Sequence, residues 1–305
     1  MTVRTALLQG AQILEQASIE APRLTAEILL MHAVNLSTKA DRAWLYAHSD
    51  DELKQLWWIH YGRYLDERLK GKPTQYITGH QEFYGRDFLV TPDVLIPRPE
   101  TEHLVEAALA IANAASEAAL AIETLKSPAA ASEAALAVAN TSPRSILDIG
   151  TGSGAIAITL ALELKQRVVG TDISIAAIKV ARKNAIRLGS DIQFVQCDLG
   201  CALTGPFDLI VANPPYVPET SRESLQKEVR DFEPSLALFA GNDGLDIYRR
   251  LIPEASWLLA PEGWLMMEIG SGQAAAIQKM LGGWRNVNLL PDLAGLPRVA
   301  IAKRP

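Results

Sequence analysis

At 305 residues the chain exceeds one typical domain, so one larger and one smaller domain are expected. Its 49% hydrophobic and 21% charged composition is that of a globular enzyme, and a formal net charge of -6 disfavours a protein that coats nucleic acid with a broad basic face. Two cysteines exclude a disulfide framework.

The opening "MTVRTALLQGAQILEQ" carries charge inside a helical pattern and does not read as a signal peptide. Leu7, Ile13 and Leu14, then Leu24, Ile28, Leu29 and Val34, then Trp57, Tyr61, Tyr64 and Leu65 recur at three- and four-residue spacings, the stripe of a helix face. Residues 1–72 are therefore expected to form a small helical domain, with Ser49 and Glu52 as a capping box. Over residues 1–70 eight Lys/Arg meet nine Asp/Glu, which gives this domain no nucleic-acid surface of its own. Residues 73–97 alternate aromatic or β-branched residues with polar ones between Gly79 and Gly85, so a β-hairpin linker is expected. It ends in "LIPRPETE", where Pro97 and Pro99 stiffen the chain around Arg98.

Residues 98–305 form the expected main domain, interrupted by an Ala/Ser-rich insertion at about 112–143. The apolar run from Leu104 contains Glu106, Asn113, Ser116 and Glu117, short of the roughly 20 mainly apolar residues of a membrane span. A soluble, cytoplasmic protein without a membrane partner is expected. From Ser145 strands and helices alternate: "SILDI", "RVVGTD", "IQFVQ", "FDLIVA", "GWLMMEI", "NVNLLPDL" and "RVAIAK" are the strands, with helices beginning near Ala155, Ile175, Asp243 and Gly272. That rhythm predicts an α/β fold with a mostly parallel sheet covered on both faces. A short turn joins the last two strands, so at least one of them runs antiparallel.

In "DIGTGSG", Gly150, Gly152 and Gly154 with Thr151 between them follow a strand and open a helix, which suits a close backbone approach to a ligand. The spacing departs from G-x-G-x-x-G, and no lysine follows as in a triphosphate-binding loop. Asp148, Asp172 and Asp198 stand at the ends of three successive strands, where open α/β sheets bind ligands; the plainer reading makes such residues helix caps. Acidic groups beside the glycines point to a positively charged nucleoside. S-adenosylmethionine fits, with Asp148 facing its amino group, Asp172 the ribose, and Asp198 or its neighbouring backbone the adenine.

The strand "FDLIVA" runs into Asn213-Pro214-Pro215-Tyr216. A planar nitrogen is a poor nucleophile because its lone pair is delocalised. The Asn213 side-chain oxygen and the Pro214 carbonyl would accept its N–H bonds, Pro215 would fix the turn, and Tyr216 would stack on the planar group. No general base is required, and His80 and His103 read as ordinary polar residues. Cys197 and Cys201 lack further ligands nearby, so no metal is expected.

Through "YITGHQEFYGRDFLV", "LIPRPETE", "ILDIGTGSGAIAI", "DISIAAIKVARKNA", "FDLIVANPPYVP", "EPSLALFAGNDGLDIYRRLI" and "GWLMMEIGSGQ", nearly the whole chain resembles the protein-(glutamine-N5) methyltransferases that modify peptide chain release factors. The resemblance implies a class I, Rossmann-like fold with a seven-stranded sheet, an N-terminal helical domain that grips the release factor, and a β-hairpin linker. It implies methyl transfer from S-adenosylmethionine, leaving S-adenosylhomocysteine, to the glutamine amide of the Gly-Gly-Gln motif in class 1 release factors. Asn213 and Pro214 would then bind the amide, Tyr216 would pack near it, Gly150, Gly152, Asp172 and Asp198 would bind cofactor, and Arg98 would lie near the active-site mouth. Two departures are the long segment 112–143 and Ile175, where this family often has proline.

Adenine-N6 DNA and guanine-N2 ribosomal RNA methyltransferases share the Asn-Pro-Pro-Tyr turn, but such an enzyme should display a basic face. No stable nucleic-acid partner is therefore expected. A dehydrogenase would need room for two nucleotides, and a non-enzymatic binding module would leave the glycine turn, Asp172 and Asn213 without a task.

Overall fold

The computed structural model describes residues 1–123 and 145–305, without the side chains of 113–123. The chain divides into two compact units, Met1–His80 with Leu225–Phe232, and Gln81–Ser224 with Glu233–Pro305. Most of the expected insertion at 112–143 falls outside the described residues; its first part continues the helix Glu102–Glu123. No helix among the described residues is long and apolar enough to cross a membrane.

The first unit is helical, with its main helices at Val3–Gln16, Pro22–Val34, Arg42–Ala47 and Gln55–Leu69. Their apolar faces meet in a core built around Leu7, Leu14, Leu29, Leu30 and Tyr61. Ile13 and Leu24, which spacing puts on the same stripe, are instead 42% and 45% exposed. Thr2 and Asp41 cap the first and third helices by accepting from the Thr5 and Trp44 amides. The Ser49–Glu52 capping box does not form, because the next helix starts only at Gln55 and is preceded by Lys54 without a side-chain cap. Ser49 instead accepts from the Arg4 guanidinium, and Glu52 bridges Thr2. The fully buried Glu27 accepts from Arg23, Arg42 and Tyr46, each at 2.8 Å, so its charge is compensated on every side.

Residues 73–97 begin with a helical turn, Thr74–Thr78, before the ribbon β1 (His80–Phe83) and β2 (Arg86–Leu89). Tyr84 and Gly85 both take positive φ, as a two-residue hairpin turn demands. Phe83 and Phe88 carry the ribbon into the core of the second unit, where Asn184 holds both backbone groups of Leu89.

That unit is built on a seven-stranded sheet: β3 (Ser145–Ile149), β4 (Arg167–Asp172), β5 (Gln193–Gln196), β6 (Phe207–Ala212), β7 (Leu259–Glu268), β8 (Arg285–Pro291) and β9 (Pro297–Lys303). The spatial order is β5-β4-β3-β6-β7-β9-β8. Pairing is parallel from β5 to β7, and β9 runs antiparallel to both of its neighbours. Helices Ala155–Leu164 and Ile175–Leu188 help cover one face, and Asp246–Leu258 and Ala274–Met280 the other, each over its own apolar cluster. The strand order reverses between β3 and β6, which makes the carboxyl ends of these strands the crevice of the sheet.

After Ser145, β3 is apolar except for Asp148, which is wholly buried. Burial pushes its carboxyl up from an ordinary 3.8 to about 7, although the Thr151 hydroxyl and the Ala157 amide donate to it. A folded pKa above the unfolded value means the native state binds the extra proton, so stability declines as pH rises between them.

Two expectations follow from this packing. A Cβ on Gly10 would lie 1.9 Å from the hydroxyl of the buried Tyr61, so Gly10→Ala should lower the urea midpoint of the first unit. The overpacking cost of about 1–3 kcal/mol exceeds the roughly 1 kcal/mol gained in helix propensity. Relative to Asp148→Asn, the wild-type urea midpoint should fall as pH rises from about 4 to about 7, the window of the Asp148 shift. Parallel pH profiles for the two proteins would contradict that assignment.

Candidate active site

The carboxyl ends of β3, β4 and β6 open into one cleft within the second unit. It is lined by the Asp93–Arg98 approach, the Gly150–Ser153 loop, Asp172, Asp198, the Asn213–Pro215 turn and Arg250. The glycine loop is shaped by its own backbone. Gly150, Gly152 and Gly154 all take positive φ, and the Gly150 and Thr151 amides donate to the Thr171 carbonyl. At Gly154 an added Cβ would also stand 2.9 Å from Ile158 and 3.2 Å from Ala181, so this glycine serves close packing and not the cleft.

Asp172 ends β4 and accepts from the Gly152 amide at 2.9 Å and the Ser174 amide at 2.8 Å. Burial raises its pKa, against the pull of these two hydrogen bonds. Its oxygens keep free lone pairs on the cleft side, since a carboxylate offers about four acceptor positions. Asp198 also lines the cleft, where it pairs with Arg250 at 2.5 Å. Asp148 does not line it. That carboxylate lies beneath the loop and ties down Thr151 and Ala157, and its Oδ1 has no partner among the described residues.

Asn213 is half-buried at the tip of β6. Its Nδ2 donates to the Thr101 hydroxyl at 3.0 Å, and that hydroxyl donates to Glu268 at 2.6 Å. Pro214 and Pro215 form part of the cleft wall, but Tyr216 does not. The Tyr216 hydroxyl donates to the other Glu268 oxygen at 3.2 Å, and its carbonyl accepts from Gln273 at 3.0 Å. Its ring therefore braces the turn from behind. Glu268 is almost fully buried, and burial raises its pKa while the hydrogen bonds from Thr101 and Tyr216 oppose that rise. Arg98 stands at the cleft and is ion-paired with the buried Glu233, which also accepts from the Ile96 amide.

Thr101, Glu268, Glu233 and Arg250 did not stand out in the sequence. Glu268 carries a signal that could have found it: it is an acidic residue ending a buried strand, like Asp172. Thr101 carries none, because its partners are 112 and 167 residues away.

The residues fit a cationic nucleoside. Among the described residues, both cations lining the cleft, Arg98 and Arg250, are already held by carboxylates, while Asp172 is hydrogen-bonded only by backbone amides. The buried Oδ1 of Asp148 lies under the loop with its lone pairs unused among the described residues. A sulfonium and an ammonium are favoured by this arrangement, and a pyrophosphate is not.

Residues 5–79 match the PrmC N-terminal domain, and residues 128–229 match the methyltransferase small domain. The chain is 42% identical to the release factor glutamine methyltransferase of Koribacter versatilis, over 100% of this chain and 99% of that protein. It is 41% identical to the release factor glutamine methyltransferase of Moorella thermoacetica, again over 100% and 99%. Among solved structures, the hMettl16 catalytic domain in complex with a MAT2A 3'UTR hairpin shares the fold, with a TM-score of 0.52 at 15% identity over 79% of this chain and 80% of that one. With this sheet, and with full-length likeness to these relatives, the chain belongs to the release factor glutamine methyltransferases, S-adenosylmethionine-dependent enzymes of the class I methyltransferase fold.

Proposed function

We infer that the protein transfers the methyl group of S-adenosylmethionine to the side-chain amide nitrogen of the glutamine in the Gly-Gly-Gln motif of class 1 peptide chain release factors, in support of translation termination. The observation that carries this reading is the Asn213 amide, held at the tip of β6 beside the glycine loop with its nitrogen engaged by Thr101. Its oxygen is thereby left as an acceptor for the cleft.

When bound, S-adenosylmethionine supplies a methyl group made electrophilic by its sulfonium. Gly150 and Gly152 let the loop backbone approach the nucleoside, Thr151 holds the loop to Asp148, and Asp172 accepts from the ribose hydroxyls. Asp198, with the backbone beside it, borders the adenine end. Asn213 Oδ1 and the Pro214 carbonyl accept the two N–H bonds of the glutamine amide. As the nitrogen lone pair leaves conjugation with its carbonyl, those N–H bonds grow more acidic, and the two acceptors stabilise the developing charge. They also fix the nitrogen's direction of approach. The proton departs to water after transfer, so no side chain has to act as a base. Pro215 keeps the turn rigid, and Tyr216 supports it from behind the wall. Arg98, fixed by Glu233, borders the mouth through which a substrate loop would enter. The helical unit contributes release-factor recognition, in the cytoplasm where release factors work.

Asn213→Ala should leave S-adenosylmethionine affinity nearly unchanged in calorimetry while lowering kcat by on the order of 100-fold, as for loss of one acceptor made for the transition state. Asp172→Ala should show the opposite split, with weakened cofactor binding measured directly by calorimetry. Transfer of label to ribosomal RNA or DNA, with none to release factor, would overturn the assignment.

A further inference from the structure

Asn213 has an ambiguity built into it. A primary amide has nearly the same shape with its oxygen and nitrogen exchanged, yet only one orientation serves the reaction. With Oδ1 toward the substrate, an acceptor meets an N–H donor; with Nδ2 there, two donors confront each other. Something must choose.

The choice is made by a hydroxyl from another part of the chain. Thr101 ends the short 3-10 turn Pro99–Thr101 and is 4% exposed. A hydroxyl has one proton to give. That proton goes to Glu268 Oε2 at 2.6 Å, while the other Glu268 oxygen accepts the Tyr216 hydroxyl, so both oxygens of this side chain act as acceptors. The Thr101 oxygen can therefore only accept from Asn213, and Nδ2 supplies the donor at 3.0 Å. In the flipped amide two acceptors would face each other, in a place too buried for water to relieve them.

Glu268 reaches this position through strand register. Ala212 of β6 pairs with Met267 of β7, so Asn213 and Glu268 are the next residues along neighbouring parallel strands. Its second oxygen takes the Tyr216 hydroxyl at 3.2 Å, and its backbone carbonyl takes the Tyr248 hydroxyl at 2.8 Å. The carboxylate is thus fixed before it fixes Thr101.

We propose that Thr101, oriented by Glu268, is a positioning residue for the methyl transfer, which sets the Asn213 amide with its oxygen toward the substrate nitrogen. The proposal rests on the role given to Asn213 in the reading above. It makes "LIPRPETE" more than a stiff connector, because its threonine selects the working face of an amide 112 residues away.

The test is Thr101→Val, which keeps the shape and removes the hydroxyl, assayed with S-adenosylmethionine and purified release factor. Thermal unfolding checks folding, and Thr101→Ala serves as a second variant without the added bulk. The expected result is a kcat lower by on the order of 10- to 100-fold, with cofactor affinity unchanged and release-factor KM moved much less. Thr101→Ser, which retains the hydroxyl, should recover most of the loss. On an Asn213→Ala background Thr101→Val should cost nothing further, since the group it orients is gone. Wild-type kcat in Thr101→Val, an equal loss in Thr101→Ser, or an unchanged additional loss in the double variant would overturn the proposal. If Asn213→Ala alone keeps normal turnover, the reading of Asn213 fails and takes this relay with it. If Asn213→Ala is crippled while Thr101→Val is not, the relay alone fails.

Discussion

Parallel pairing on both sides of β6 is the constraint from which the site follows. Ala212 is in register with Ile149 of β3 on one side and Met267 of β7 on the other. The next residues along the three strands are therefore Gly150, Asn213 and Glu268, side by side at one edge of the sheet. A one-residue slip would turn side chains to the opposite face and separate them. The apolar clusters on both faces penalise such a slip, so packing far from the cleft holds the chemistry in line.

The carboxylates at that edge do different work because they sit at different depths. Asp148 is fully enclosed and tethers the glycine loop from below. Asp172 is partly open and lends its oxygens to the backbone on one side and the cleft on the other. Glu268 is enclosed but hydrogen-bonded at both oxygens, which converts a costly buried charge into a rigid two-armed brace. One residue class thus serves as anchor, cleft lining and brace according to its surroundings.

Much of this was legible beforehand for physical reasons. Strands buried on both faces read as short apolar runs, so β3, β4 and β6 could be bounded to the residue from "SILDI", "RVVGTD" and "FDLIVA". β7 begins four residues before the expected Gly263, because Pro261 and Gly263 read as breakers while the strand shifts register there. Depth was not legible: nothing local separates Asp148, facing inward, from Asp172, facing the cleft. At Ser49 the local pattern failed for a related reason: the helix begins only at Gln55, and the Ser49 oxygen accepts from the distant Arg4 instead. Tyr216 shows the limit again, its ring claimed by Glu268 on a neighbouring strand.

The first compact unit is assembled from two stretches of chain, because Leu225–Phe232 belongs with Met1–His80. Arg68 and Glu228 pair at 2.5 Å across 160 residues of sequence, and the Lys227 ammonium caps the end of the Gln55–Leu69 helix at the Lys70 carbonyl. The helical unit is therefore not a detachable prefix. Grafting a different N-terminal module onto this enzyme would require exchanging a second, distant segment, which lies in the chain between the cleft residues Pro215 and Pro234. The helical unit is bound by covalent connection, through Leu225–Phe232, to the chain that carries Asn213.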